Sequence, residues 1–447
     1  MAEVRQQNPV LVIGGGLAGC EAAWQLAERK VPVQLIDMKP QGMTPAHHRT
    51  DLAELVCSNS LRSNRLENAV GLLKEEMRRL GSLIVSCADE TQIPAGGALA
   101  VDREGFSQCV TERINNHPLI ERVSQTVTRI PDGDIVVIAT GPLTEGDLFT
   151  DIRDRLGIET LYFFDAAAPI VAADSIDLSI VFRQSRYGRG SDDYLNCPMD
   201  KTQYQLFYDE LIHARTADIH EFDQRHIFEG CMPVETMAQR GLDTLRFGPM
   251  KPVGLTDPKT GRQPYACVQL RQDDRQGQLY NLVGFQTRLA FSEQKRVFGL
   301  IPGLEKAEWI RFGVMHRNTF LPSPDILNRD FSVRGQPGLY FAGQITGVEG
   351  YVESAASGLV TGRQAAFQAQ GMPILLREER LPSAQTVIGA LSSYISDPAI
   401  RHFQPMNANF GLLPRLETQD RLSKQQRIER MIQRSLDQIE NLLAKDR

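Results

Sequence analysis

Hydrophobic positions open the chain in a strand, turn, helix, strand cadence. Pro9-Val10-Leu11-Val12-Ile13 is a short apolar run rich in β-branched residues, which predicts a buried strand. Gly14-Gly15-Gly16-Leu17-Ala18-Gly19 follows at once, and Cys20 to Lys30 then has the spacing of a helix. Val31 to Ile36 is a second strand, ending at Asp37 and Met38. Residues 41 to 65 are polar and glycine- or proline-punctuated, and predict a loop. Glu67 to Leu80 places Val70, Leu72, Leu73, Met77 and Leu80 at helical spacing, and Val101 to Asn116 predicts another helix. Asp134 to Pro142 is a buried strand that runs into Ala139-Thr140-Gly141.

The pattern changes between about 171 and 315. Short strand-like runs such as Ser179 to Phe182 and Tyr265 to Leu270 alternate with glycine, proline and tyrosine. The strand-and-glycine-turn cadence then returns. Gly338 to Gly347 is a strand plus glycine turn holding Gly343 and Gln344, and it opens a small-residue helix, Ser354 to Gln368. The tail, Ser423 to Arg447, is amphipathic. Ile428, Met431, Ile432, Leu436, Ile439, Leu442 and Leu443 form one stripe behind a Ser423/Gln426 capping box, and the expected partner of that stripe is its own domain.

Glycines at 14, 16 and 19 sit at the three positions of G-x-G-x-x-G. The first permits the turn, the second lets backbone approach a pyrophosphate, and the third lets helix and strand pack closely. The helix N-terminus favours phosphate, and an acid at the end of the second strand suits a ribose hydroxyl. A late Ala-Gly turn opening a helix is the usual second contact of FAD, so FAD fits better than NAD alone. Candidate cofactor residues are therefore Gly14, Gly15, Gly16, Leu17, Ala18, Gly19, Asp37, Met38, Thr140, Gly141, Gly343 and Gln344. The expected fold is α/β: a discontinuous glutathione-reductase-like FAD-binding Rossmann domain with an inserted α+β domain. The expected boundaries are 1–170, 171–315 and 316–447.

Composition narrows the class. The 447 residues are 42% hydrophobic and 23% charged, with no apolar run long enough for a membrane span and no signal-peptide core, so a cytoplasmic protein is expected. A net charge of −6 argues against non-specific nucleic-acid binding but leaves room for a local basic face. Seven cysteines occur without C-x-x-C or zinc-type spacing, so no metal is expected.

Several residues could carry chemistry, each beside a plainer reading. His47 and His48 are either solvated loop residues or ring-stacking residues at the ligand edge of the sheet. Cys57, in Cys57-Ser58-Asn59-Ser60, is either a core thiol or, because cap-type residues follow it, a thiol near a helix start where thiolate is favoured. Cys231, in Glu229-Gly230-Cys231-Met232-Pro233, lies in a constrained turn flanked by carboxylates. Glu349 and Tyr351, in Val348-Glu349-Gly350-Tyr351, follow the late glycine turn directly. Arg183, Arg186 and Arg189 around Tyr187, with Arg271 and Arg275, are either a salt-bridged surface or a face for unstacked bases.

Taken together, His47-His48, Cys57-Ser58-Asn59-Ser60, Phe228 to Pro233, Arg246 to Pro252 and Gly347 to Tyr351 resemble the bacterial folate- and FAD-dependent tRNA (uracil-5-)-methyltransferases, from Val10 to about Gly358. Asp37 stands where that family more usually has Glu. The resemblance implies methylation of the T-loop uridine of tRNA at C5. The carbon comes from 5,10-methylenetetrahydrofolate, reduced FAD is carrier and reductant, and NAD(P)H reduces the flavin. It also implies Cys57 and Cys231 as the catalytic pair. One thiolate adds to C6 and makes C5 nucleophilic, and a second group removes the C5 proton. We take Cys231 as nucleophile and Cys57 as acid/base, an order the sequence leaves open. His47, His48, Glu349, Tyr351, Arg183 and Arg186 are the candidates for folate, uracil and tRNA contact, in a monomer without metal or membrane association. Rival readings are a wobble-uridine-modifying sister flavoprotein, a thiol/disulfide oxidoreductase, and a non-catalytic RNA-binding flavoprotein.

Overall fold

The structure, a computed structural model, describes residues 8–44, 46–158, 161–166, 168–188, 192–217, 232–313, 315–401, 403–417 and 422–446. Cys231 and Arg189 lie outside the described residues. The strands Val10–Ile13, Val33–Asp37, Val136–Ile138 and Leu339–Phe341 are apolar on both faces, as strands of a covered parallel sheet must be. They pair in parallel in the order Leu339–Phe341, Val136–Ile138, Val10–Ile13, Val33–Asp37, Ile120–Ser124. The chain fills one side of the central strand Val10–Ile13 first and the other side later. The strand order therefore reverses beside it, and the carboxyl ends of the strands there part to form a crevice.

One face of this sheet carries the helices Leu17–Glu28 and Tyr351–Ala369, which cross at very close range. A Cβ on Gly358 would overlap the backbone of Ala18, and one on Gly362 would meet that of Ala22 at 2.5 Å. Two buried carboxylates then tie further helices to this layer. Glu21 accepts from Ser82 Oγ at 2.7 Å and from Ile84 N at 3.0 Å, at the start of the helix Leu83–Glu90. Glu76 accepts from Val387 N at 2.7 Å and Ile388 N at 2.8 Å, at the start of the helix Val387–Ile395. Each fills donors that a helix N-terminus leaves without partners. Burial nonetheless raises both carboxyls above their usual range, Glu76 to about 7.

The terminal helix Lys424–Asp446 carries the expected cap, Gln426 N to Ser423 Oγ at 3.2 Å and Ser423 N to Gln426 Oε1 at 3.0 Å. Its Met431, Leu436, Ile439 and Leu442 join the same core as the parallel sheet, so its apolar stripe packs inward.

A second core surrounds a six-stranded sheet in the order Phe182–Arg183, Tyr194–Met199, Ala266–Gln272, Leu279–Leu282, Ile170–Ala172, Trp309–Arg311, antiparallel throughout. Helices Lys201–His213 and Phe291–Phe298 cover it, and Phe285 and Phe298 meet edge to face with centroids 5.5 Å apart. The strands Leu161–Ala166 and Met315–Phe320, at either end of this segment, pair antiparallel with each other.

Local expectations fail in several places. Residues 41 to 65 are not all loop, because Ser60–Ser63 pairs with Ala98–Val101 and that strand with Gln92–Ile93. The helix expected from Val101 therefore begins at Arg103, the strand having taken Val101. Ser179 to Ile180 is a turn, and only Phe182–Arg183 reaches the sheet edge. The helix Leu83–Glu90 was not anticipated; its cap, Ser82, accepts from Val85 N.

The helix crossing gives a direct test. Gly358→Val inserts a branched side chain against the Ala18 backbone and is expected to cost about 2–3 kcal/mol, read as a lower urea midpoint at unchanged slope. An unchanged midpoint would contradict the packing described.

Candidate active site

The crevice at the reversal of strand order is lined by the ends of four parallel strands. Ile13, Ile36, Ala139 and Gly343 mark those ends, with Gly16, Leu17, Ala18, Asp37, Met38, Thr140, Gly141 and Gln344 around them. Gly14, at φ 107°, adopts a backbone conformation that side chains resist. A Cβ at Gly16 would meet nothing within 4 Å, so that position faces open cleft. The helix Leu17–Glu28 begins there with no side-chain cap and no acid in its first turn. Its first N–H groups and its partial positive charge are thus left for an anion. Asp37, buried at the far side of the turn, accepts from Gly15 N at 2.6 Å and Lys39 N at 2.9 Å. A carboxylate has lone pairs beyond these two, so a diol could still bind it. Apolar Val127 and Leu148 line the same crevice. The residues present fit a dinucleotide.

A second cavity opens off the first and shares Val56, Pro142, Leu143, Gln344 and Tyr351 with it. It holds Cys57, Ser58, Ser60 and Arg62 from one layer, and Arg271, Asn281, Val283, Gly284 and Gln286 from the antiparallel domain. Cys57 does not start a helix, contrary to expectation, because the residues after it enter the strand Ser60–Ser63. The helix start near its sulfur belongs to a distant segment. Tyr351, first residue of the helix Tyr351–Ala369, places its hydroxyl 2.9 Å from Cys57 Sγ. The same oxygen accepts from Cys57 N at 2.7 Å and Ser58 N at 3.2 Å. Burial foremost, and then the nearby thiol, push the Tyr351 phenol well above its ordinary pKa, so it stays protonated.

Arginines complete the cage. Arg103 donates to the Leu55 carbonyl and Arg311 to the Val56 carbonyl. Arg271 donates to Asn59 Oδ1 at 3.1 Å and Ser58 Oγ at 2.7 Å. Arg103 also pairs with Asp273 at 3.0 Å, with side chains 11% and 2% exposed. Burial disfavours the Arg103 charge, but Asp273 outweighs it and holds the guanidinium firmly protonated. Removing one partner of so buried a pair costs about 3–5 kcal/mol.

The other singled-out residues divide. His47 lines the first cleft, with Nδ1 2.6 Å from Thr44 Oγ1, and burial and the Lys39 charge lower its pKa. Its ring is therefore neutral near pH 7 and available to a flat ligand. His48 is exposed and lines neither cavity, because its backbone N–H turns in to Glu54 at 3.0 Å. Glu349 lines the thiol cavity and accepts from Gln344 Nε2 at 2.7 Å. Arg183 is exposed near Tyr280. Arg186 spends its guanidinium on Gln269 Oε1 at 2.7 Å and the Val253 carbonyl at 3.1 Å, in a separate groove beside Arg65. Arg275 is exposed, but Arg271 is buried beside Cys57 and is no surface residue. The chain re-enters the described residues at Met232, and Val234 N donates at 2.7 Å to the carbonyl of Gln286, a wall residue of the thiol cavity.

A family model described as "Glucose inhibited division protein A" matches residues 9–373. The chain is 60% identical to "Methylenetetrahydrofolate--tRNA-(uracil-5-)-methyltransferase TrmFO" of Acetivibrio thermocellus over 90% of this chain and 91% of that one. The enzyme of the same name from Geobacter sulfurreducens is 56% identical over 97% and 99%. The chain belongs to this methyltransferase family. Its fold matches the solved structure of Aquifex aeolicus GidA at a TM-score of 0.67 and 17% identity, over 97% of this chain and 73% of that one. A match at that identity establishes the shared glutathione-reductase-like architecture.

Sequence reading missed Arg103 and Arg311, since single arginines at a helix start and a strand end carry no signature. It placed Arg271 on the wrong face, although a basic residue within the apolar run Ala266 to Leu270 and its flank hinted at burial.

Thiol reactivity follows from this geometry. Cys20 and Cys267 are buried and pushed up to about 12, chiefly by burial, whereas Cys57 opens on a cavity. Brief iodoacetamide treatment of the native protein at mildly alkaline pH is expected to label Cys57 and spare Cys20 and Cys267, as read by peptide mass spectrometry. Labelling of either buried thiol before Cys57 would contradict the placement.

Proposed function

We propose that the protein methylates C5 of the T-loop uridine in tRNA, with 5,10-methylenetetrahydrofolate as carbon donor and FAD held in the first cleft. The observation that carries this reading is the wall shared by the two cavities. A ligand in the dinucleotide cleft and a base in front of Cys57 would touch the same Val56, Gln344 and Tyr351. Family membership supplies the substrate class, and the relatives' name specifies folate and tRNA.

The flavin, when bound and reduced, supplies the carrier for the one-carbon unit and the reducing equivalents. NAD(P)H as the source of those electrons, a cytoplasmic location and a monomeric state belong to the same reading. The first helix and Gly16 would hold the diphosphate, Asp37 a ribose, and Gly343 and Gln344 the part nearest the ring. We assign the folding units as 1–170 with 316–447, and 171–315, so that the thiol cavity lies between them.

For this chain the chemistry falls to two sulfurs. Uracil C5 is a poor nucleophile until a thiolate adds at C6, which moves electron density to C5. We assign that addition to Cys231. Its neighbour Val234 is anchored to the cavity wall through Gln286, which supports a position across from Cys57. C5 bonds to the one-carbon unit that comes from the folate, Cys57 takes the C5 proton, and expulsion of the Cys231 sulfur restores the C5–C6 double bond. His47 and Tyr351 orient flat rings, and the buried walls exclude water. The exposed Arg183 is the basic contact best placed for the RNA backbone.

Purified protein given labelled methylenetetrahydrofolate, NADPH and unmodified tRNA is expected to place label in ribothymidine. Cys57→Ala should retain the yellow flavin yet transfer no label. Thiol-dependent NADPH consumption with label nowhere would identify an oxidoreductase instead, and normal methylation by Cys57→Ala would remove that sulfur from the reaction.

A further inference from the structure

Among the described residues, two of the three arginines around Cys57 form no ion pair with a carboxylate. Arg103 is neutralised by Asp273, and Arg62, on the strand beyond, is paired with Glu353. Among the described residues, Arg271 donates to the neutral Asn59 Oδ1 and Ser58 Oγ, and Arg311 to the Val56 carbonyl. Among the described residues, no carboxylate forms an ion pair with either guanidinium. Arg271 is 8% exposed. A buried cation without a counter-charge is costly, and proteins ordinarily supply one.

The Tyr351 hydroxyl points to where that counter-charge sits. A phenol oxygen has one proton to give, and here it already accepts from Cys57 N and Ser58 N. Its proton is thus directed to the remaining close neighbour, Cys57 Sγ, at 2.9 Å. The sulfur accepts that bond, an arrangement that favours a charged acceptor.

We infer that Arg271 and Arg311, with the Tyr351 hydroxyl, are positioning residues that hold Cys57 as a thiolate before substrate arrives. The inserted domain contributes both arginines, so its docking against the cofactor domain is what arms the sulfur. The thiol proton passes to solvent, and the anion left behind can accept the C5 proton in the proposed reaction. This inference rests on the role given to Cys57 above, and it names the groups that prepare that role.

Charged and titratable groups face the sulfur from several elements. The helix Arg103–Asn116 brings Arg103, the strand Ala266–Gln272 brings Arg271 with Asp273 just after it, and Trp309–Arg311 brings Arg311. Tyr351 comes from its helix start, and Arg62 and Glu349 share the cavity. With Arg103 and Asp273 paired, and Arg62 and Glu353 paired, Glu349 is the one carboxylate of this set left to face Arg271 and Arg311, so among these described residues one positive charge is in excess. Burial foremost lowers the pKa of Arg271 and of Arg311; the Arg103 charge adds to this at both, and Asp273 and Cys57 oppose it.

The test is the pH profile of Cys57 alkylation in flavin-loaded, full-length protein, followed by peptide mass spectrometry without tRNA or folate. Wild type is expected to alkylate with a midpoint below the ordinary thiol value of about 8.5. Arg311→Gln and Arg271→Gln should each raise the midpoint by about one pH unit, which slows alkylation at neutral pH about tenfold. Arg311→Lys should restore most of the shift, which repair of packing alone would not do. Tyr351→Phe should raise the midpoint as well. Flavin absorbance and circular dichroism identify any variant that fails to fold, and the remaining variants then decide the matter. A wild-type midpoint at or above about 8.5, or Gln variants with the wild-type midpoint, would overturn the inference. Because this assay needs no methyl transfer, failure here with intact label transfer to tRNA would sink the thiolate cage alone. Failure of label transfer with the expected pH profile would sink only the proposed function.

Discussion

Residues 55–59 form neither helix nor strand, so their polar groups lack the partners that regular structure supplies. Such backbone must find partners within the protein. It finds them almost entirely at a distance: Arg103 and Arg311 on two carbonyls, Tyr351 on two amides, and Arg271 with Gln272 on the side chains of Ser58 and Asn59. That requirement fixes the site. It ties the six-stranded antiparallel sheet, through Arg271, Gln272 and Arg311, to the segment bearing the thiol, and it sets the thiol beside the wall of the dinucleotide cleft. A loop held so completely by residues far away along the chain is a rigid platform, which suits a sulfur that must meet a base in one geometry.

The cofactor cleft depends on a different constraint, that of close backbone approach. Small residues at 18, 19, 22, 358 and 362 allow two helices to approach until backbone touches backbone. The turn at Gly14 to Gly16 is held to the sheet, Gly14 N on the Ile36 carbonyl and Gly15 N on Asp37, and the uncapped start of the helix that follows it faces the crevice. Packing and binding are one arrangement here, since the residues that leave room for phosphate are continuous with those that leave room for a helix.

Much of this was legible in the sequence, for identifiable reasons. Four of the five parallel strands announced themselves because strands buried on both faces are continuous apolar runs; Ile120–Ser124, a polar edge strand, did not. The glycine turns did so because their backbone geometry excludes other residues, and the terminal helix because its stripe and capping box are local patterns. Legibility ended where local pattern gave way to tertiary pairing. Ser60–Ser63 looked like loop because it is polar, and it is a strand only through its partner Ala98–Val101. Cys57 looked like a helix-start thiol because Ser58, Asn59 and Ser60 are cap-type residues, but those side chains serve the arginine clamp instead. Arg271 looked like an RNA contact because arginine is ordinarily exposed. Pairing across two hundred residues leaves no trace in local spacing, and the split of His47 from His48 was equally invisible.

The account stands or falls on the meeting of two thiols in one cavity. The most direct measurement treats flavin-loaded protein with a short bis-alkylating thiol reagent such as dibromobimane and looks for the joined peptides by mass spectrometry. The account predicts a crosslink between Cys57 and Cys231, formed within one molecule and blocked by prior alkylation of either sulfur. Each sulfur labelled singly, with no joined product at any reagent ratio, would contradict it.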